Sequence, residues 1–231
     1  MKKTITVLLC AFTGFYVYGQ KAKTYIIQPG EPMQNVVPFS DANAYSQFQN
    51  GVVYFKNGTA SSARLNYNFL FEEMLFIRPQ GDTLTFDNSN EVHFIQIGKD
   101  TFYSAFNRFV RVDTVFGEIK IATATFYRAV SKGRVGAYGS PMLSGSDPYA
   151  LLLAPTNNRL GLIPQVVTTI SIGQSLFIGN KFNEFQPVNR KTVLAFYSEK
   201  EAAVKHYIQT HNTDFSIRKD VFALIEYMSK L

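Results

Sequence analysis

The chain has 231 residues, 46% of them hydrophobic and 17% charged, which excludes a disordered polymer and leaves room for one large β domain or two small ones. Its aromatic content comes from 21 Phe and 13 Tyr with no Trp, a composition that suits a pleated, half-buried surface better than a helix bundle. The formal charge of +6 falls to +4 if Lys2 and Lys3 leave with the leader described next, too dilute for the basic stripe that nucleic-acid binding requires.

The first nineteen residues read as a signal peptide. Lys2 and Lys3 precede an apolar run through Ile5, Val7, Leu8, Leu9, Cys10, Ala11 and Phe12, and small residues lead to a cleavage point expected between Gly19 and Gln20. The run is shorter than the roughly 18–20 residues of a spanning helix, and no later stretch reaches that length, so no transmembrane segment is expected in the mature chain. Leu9 stands before Cys10 where lipoprotein processing wants a small residue. Cys10 is the only cysteine, so a mature chain beginning at Gln20 would have no disulfide, thiolate zinc site or thiol chemistry.

Residues 20–50, broken by Pro29, Gly30, Pro32 and Pro38, read as an irregular lead-in. From 51 onward a single domain is expected, with its β portion running to about 180. Val52–Phe55 and Ala63–Tyr67 flank Asn57-Gly58, which suits a two-residue hairpin turn. Glu73–Arg78 and Thr83–Phe86 flank Pro79-Gln80-Gly81-Asp82; Val92–Ile97 and Phe102–Phe106 flank Gly98-Lys99-Asp100; Phe109–Phe116 and Glu118–Val130 flank Gly117. Strands this closely spaced predict an antiparallel meander, because parallel pairing needs long crossovers. In 109–116, Arg111 and Asp113 alternate against Val110 and Val112, which predicts one wet and one buried face.

Residues 131–165 form a Gly/Pro-rich loop, carrying Gly133, Gly136, Gly139, Gly145 and Gly161 among Pro141, Pro148, Pro155 and Pro164. Two short strands, Thr168–Ile172 and Leu176–Ile178, are expected around Gly173-Gln174. The segment 189–231 reads as helical. Asn189 caps a helix from Arg190 to Tyr197, Ser198 and Glu201 have capping-box spacing for a helix through about Thr210, and Ser216 is placed to cap a last helix. Ile217, Val221, Leu224, Ile225 and Met228 form the apolar stripe of that last helix.

Candidate chemistry is sparse. His206 and His211 are five apart, whereas two metal ligands on one helix face want a spacing of four. His93 alternates with Ile95 and Ile97 and reads as structural. Asp87, Ser89, Asn90 and Glu91 supply oxygens in one loop but lack the glycine and second ligand set of a calcium loop, and they are also ordinary turn residues. Asn57-Gly58-Thr59 matches a glycosylation acceptor, which the hairpin already explains. Gly133 to Gly139 does not follow the dinucleotide fingerprint, and no Gly-x-Ser-x-Gly elbow is present. The candidate binding residues are Arg134, Tyr138 and Tyr149, on a loop long enough to serve a ligand or partner. No catalytic, metal or cofactor residues are assigned.

The leader ending Tyr18-Gly19-Gln20, Phe55-Lys56-Asn57-Gly58, Leu65-Asn66-Tyr67-Asn68, Glu73-Met74 and Ile97-Gly98-Lys99 resemble a set of small exported proteins of Gram-negative bacteria. The tail is similar in Lys181-Phe182, Lys191, Tyr207-Ile208 and Phe215. The resemblance covers about 50–105 and 180–231, implies export and a β-then-helix order, and transfers no activity.

The expected fold is therefore α+β: a mainly antiparallel β meander, a curled sheet or sandwich, covered by two or three C-terminal helices. The expected function is that of a non-enzymatic envelope protein, periplasmic or on the cell surface, that binds a small molecule or a protein partner. Two alternatives stand beside it: a secreted hydrolase using carboxylates or a serine near the Gly/Pro-rich loop, and a structural subunit of an envelope assembly.

Overall fold

The computed structural model describes residues 23–86, 89–135, 141–143 and 163–231. The signal-peptide reading of 1–19, and with it Cys10, lies outside these residues.

The described chain is mostly antiparallel sheet with a few helices, mostly C-terminal. One meander comprises β2 (Gln49–Phe55), β3 (Ala60–Asn68), β4 (Glu73–Ile77) and β5 (Thr83–Thr85). A second comprises β6 (Val92–Ile97), β7 (Asp100–Ala105), β8 (Arg108–Phe116) and β9 (Ile119–Val135). The antiparallel pair β2 and β6 joins them into one sheet. On the far side of β9, β11 (Thr168–Gly179) adds to the ladder and is itself flanked by β1 (Thr24–Ile27) and β12 (Phe185–Pro187). A short β10 (Pro141–Leu143) pairs with the far end of β9. The sheet is not closed, but Tyr127 N of β9 donates to Phe69 O just beyond β3 at 3.2 Å, bringing distant parts of the ladder together.

The lead-in differs from expectation. Instead of irregular chain, 23–50 carries β1 and two single-turn helices, α1 (Met33–Val36) and α2 (Phe39–Ala42), each begun by a proline. Proline is tolerated where the first helical N–H groups lack partners anyway. Met33, Val37 and Ala42 are buried with Ile27, Leu70, Tyr127 and Ile170. Asn66 then replaces a missing strand partner: its Nδ2 donates to Tyr45 O at 2.8 Å and its Oδ1 accepts from Tyr45 N at 3.1 Å. Asn68 Nδ2 donates to Asn43 Oδ1. These fully enclosed amides keep all their polar atoms occupied, the condition for burying them.

Other local expectations are corrected by tertiary contacts. The β2–β3 loop holds three residues instead of two: Gly58 takes φ +85°, its N–H returns to Phe55 O, and Phe55 N bonds Thr59 O. Gly173 does not divide two strands, because β11 runs unbroken through it. A side chain there would put its Cβ 3.0 Å from the Phe126 ring of the neighbouring strand, so the glycine marks a close approach.

Helix α3 (Arg190–Phe196) is capped as predicted, with Asn189 Oδ1 accepting from Thr192 N at 2.9 Å. The Ser198–Glu201 capping box does not form. Ser198–Lys200 is a 3-10 turn, and α4 (Glu201–His211) starts after it, so Glu201 is the first helical residue, two positions before the third place where a capping box needs its glutamate. Ser216 likewise fails to cap α5 (Arg218–Ser229), since its hydroxyl donates to Asp214 Oδ1 at 2.7 Å. Val221, Leu224, Ile225 and Met228 are buried in a cluster with Val193, Val204, Ile121 of β9 and Ile178 of β11. Ile217, expected on the same stripe, is 48% exposed because it precedes the helix. No helix among the described residues is long and apolar enough to cross a membrane.

Candidate functional site

Inside the bend of the sheet, Tyr67 is ringed by Phe69, Phe102 and Phe109 at centroid distances of 5.9–6.2 Å. The hollow beside them is about 20 Å³, room for a single water. That interior is packing, not a ligand chamber. A hollow of about 510 Å³ lies open on the face of β2, β3 and β6, lined by small or neutral residues with Arg64 alone charged.

A smaller cleft of about 340 Å³ has more chemistry. One wall is the β7–β8 turn with Tyr103, Ser104, Ala105, Phe106 and Asn107; the other is the β11–β12 turn with Phe182, Asn183 and Glu184. Lys56, Asn90, Val92 and His93 complete the lining. Three backbone features build it.

The β7–β8 hairpin has a two-residue turn in which Phe106 (φ +52°) and Asn107 (φ +59°) are both left-handed. This turn fits the natural twist of a hairpin and normally takes Asn-Gly. Asparagine tolerates that conformation, whereas a bulky phenylalanine pays roughly 1–2 kcal/mol for it. Burial does not compensate, since Phe106 is 56% exposed and meets Phe177 at 6.1 Å between ring centroids. Strain of this kind persists only where surrounding structure holds it, and it gathers at binding sites.

The opposite turn is held by Asn180. Its Oδ1 accepts from Phe182 N at 2.9 Å and Glu184 N at 3.0 Å, while its Nδ2 donates to Glu184 Oε2 at 2.7 Å. Asn183 is left-handed (φ +64°), and its Oδ1 is enclosed with no hydrogen-bond partner. Phe182 is 70% exposed.

His93 occupies a bulge. Tyr54 pairs with Phe94 and Phe55 with Val92, so His93 is the extra residue of β6. The bulge turns Val92 into the core and leaves His93 exposed at the cleft, its ring edge-on to Phe94 at 5.2 Å. The expectation of a structural histidine among apolar neighbours is therefore corrected: alternation fails where one residue is inserted. His206 and His211 lie exposed on α4, and His211 stacks on Tyr207 at 3.9 Å.

Of the sequence-predicted site residues, Arg134 belongs to β9, where its backbone faces Met142 of β10. Tyr138 and Tyr149 lie outside the described residues, as does Asp87 of the oxygen-rich loop. Among the described residues no three His, Cys, Asp or Glu side chains gather to hold a metal ion. The cleft residues were legible only in part. Phe106 reads as the end of a strand, and the signal that marks it, an aromatic residue before Asn between two β runs where a turn must fall, is visible only once the turn is located.

Two charged clusters elsewhere hold the fold together. Asp113, also the extra residue of a bulge, has its side chain 6% exposed instead of on the wet face expected for it, between Arg218 (2.9 Å), Arg111 (3.6 Å) and the Thr123 hydroxyl. Glu72, left-handed at φ +55°, lies buried 3.1 Å from Arg108, whose guanidinium sits over the Phe126 ring. Burial raises the Glu72 carboxyl above its ordinary range, and the Arg108 charge opposes that rise.

The chain matches no known family, no curated protein and no solved structure.

Proposed function

We propose that this is an exported, non-enzymatic envelope protein of a Gram-negative bacterium, periplasmic or at the cell surface, that binds a ligand in the cleft between the Phe106-Asn107 and Phe182–Glu184 turns. The observation that carries the reading is Phe106, a cleft-lining residue held in a strained conformation with more than half its surface in water. A residue that costs stability and is not repaid by burial is best explained by what it contacts from outside. The second wall supports this, since Asn180 presets it and little ordering would remain to be done on binding. Export rests on the leader and on the resemblance to small exported proteins. Within the broad α+β fold, the Tyr127–Phe69 bond favours a curled sheet over a sandwich, and the shared cluster of Val221, Leu224, Ile121 and Ile178 favours C-terminal helices that cover the sheet.

The test is a ligand-observed NMR screen of the protein against a chemically mixed fragment library, repeated with Phe182→Ala. Hits that vanish in the variant support the reading. Hits indifferent to it, or steady turnover of any bound compound, overturn it. Amino-terminal sequencing of protein expressed in a Gram-negative host checks export, with Gln20 as the expected first residue.

A further inference from the structure

We infer that the ligand of this cleft is a neutral saccharide, an assignment that rests on the binding reading above and goes further by naming the chemical class. Four observations converge on it.

Two phenylalanine rings stand exposed on opposite turns of the same cleft, Phe106 at 56% and Phe182 at 70%. Sugar rings present flat C–H faces that shed water against aromatic surface of this kind.

Apart from Lys56, Glu184 and the His93 imidazole, the polar lining is amide and hydroxyl, from Asn90, Ser104, Asn107, Asn183 and Tyr103. Amides and hydroxyls both donate and accept, which matches sugar hydroxyls that do the same. Purely apolar ligands would leave these groups desolvated and unpaired.

The formal charges at the cleft balance, Lys56 against Glu184. Phosphate or carboxylate ligands are held by paired cations or bidentate arginine, and no arginine lines this cleft.

A volume of about 340 Å³ lies in the range of small-ligand sites and suits a short saccharide better than an extended polymer.

The experiment is calorimetric titration of the whole protein with neutral mono-, di- and trisaccharides of gluco, galacto and manno configuration, with nucleosides and a short neutral peptide as competitors. Wild type is expected to bind at least one saccharide. Phe182→Ala and Phe106→Asn each weaken it by about tenfold or more, while Phe39→Ala, an exposed aromatic on α2, leaves it unchanged. If a nucleoside or the peptide binds in a Phe182-dependent way and no saccharide does, the saccharide assignment falls and the binding reading stands. If a saccharide binds with no dependence on Phe106 or Phe182, the cleft is the wrong site. If no probe of any class binds, both readings fall. Circular dichroism of each variant confirms that lost binding is not lost folding.

Discussion

Asp113 of β8 and Arg218 of α5 meet at 2.9 Å, a charged contact between the last helix of the chain and the sheet that adds to the apolar cluster beneath it. Arg218 Nη1 also donates to Thr123 at 2.8 Å, and its guanidinium lies 4.7 Å from the Phe222 ring centroid. The carboxylate is enclosed while the arginine is nearly half exposed, so the carboxylate is the member that cannot do without a partner.

Asp113→Ala is expected to lose about 2 kcal/mol of stability. Arg218→Ala loses less, because Arg111 and the Thr123 hydroxyl stay beside the same carboxylate. The double variant should cost clearly less than the sum, giving a coupling energy measurable by urea denaturation. Additive losses would mean that the contact does not join helix and sheet energetically.

Phe106 separates stability from function. Phe106→Asn supplies a residue that accepts the left-handed turn, so it is expected to raise the stability of the protein by about 1 kcal/mol. The same change should weaken ligand binding, so a thermal melt that rises while the titration signal falls identifies the strain as functional. A lower melting temperature would show that the Phe106–Phe177 contact outweighs the strain.

The Glu72–Arg108 pair predicts a pH dependence whose sign follows from its surroundings. Burial raises the Glu72 carboxyl, so the folded protein holds this proton more tightly than the unfolded chain does. The resulting stabilisation is complete below the unfolded value of about 4.3 and is lost as pH rises through the folded value. Arg108→Met removes the charge that opposes this rise and is expected to cost about 3 kcal/mol near neutral pH. The loss should shrink as pH falls from neutral and Glu72 takes up its proton. Denaturation midpoints of wild type and variant across that range check it; parallel curves would contradict the pairing.

Asp41 gives the opposite sign. A hydrogen bond from the Tyr25 hydroxyl, then one from Lys23, hold its carboxyl below the ordinary range. Its stabilising effect is therefore present above the unfolded value and fades as pH falls through the lowered one. Tyr25→Phe should move the Asp41 midpoint back up towards the usual carboxylate range, read by NMR titration of the side chain. An unmoved midpoint would assign the shift to Lys23 alone.

The strands from β2 to β9 were legible in the order of residues, because hydrophobic alternation and Gly- or Asn-containing turns are local signals and antiparallel pairing follows from short connections. The Asn189 cap and the stripe from Val221 to Met228 were legible for the same reason. The lead-in was not: Met33 and Val37 look like loop residues until Tyr127 and Ile170 arrive to bury them. Nor were the exposure of His93 or the burial of Asp113, since a bulge inserts one residue into a period-two pattern and reverses which face every later side chain takes. The amino-acid order by itself determined which segments extend, turn and coil. Only the tertiary structure decided which turns face each other across the cleft, because that depends on how far a twisted sheet bends before distant strands meet.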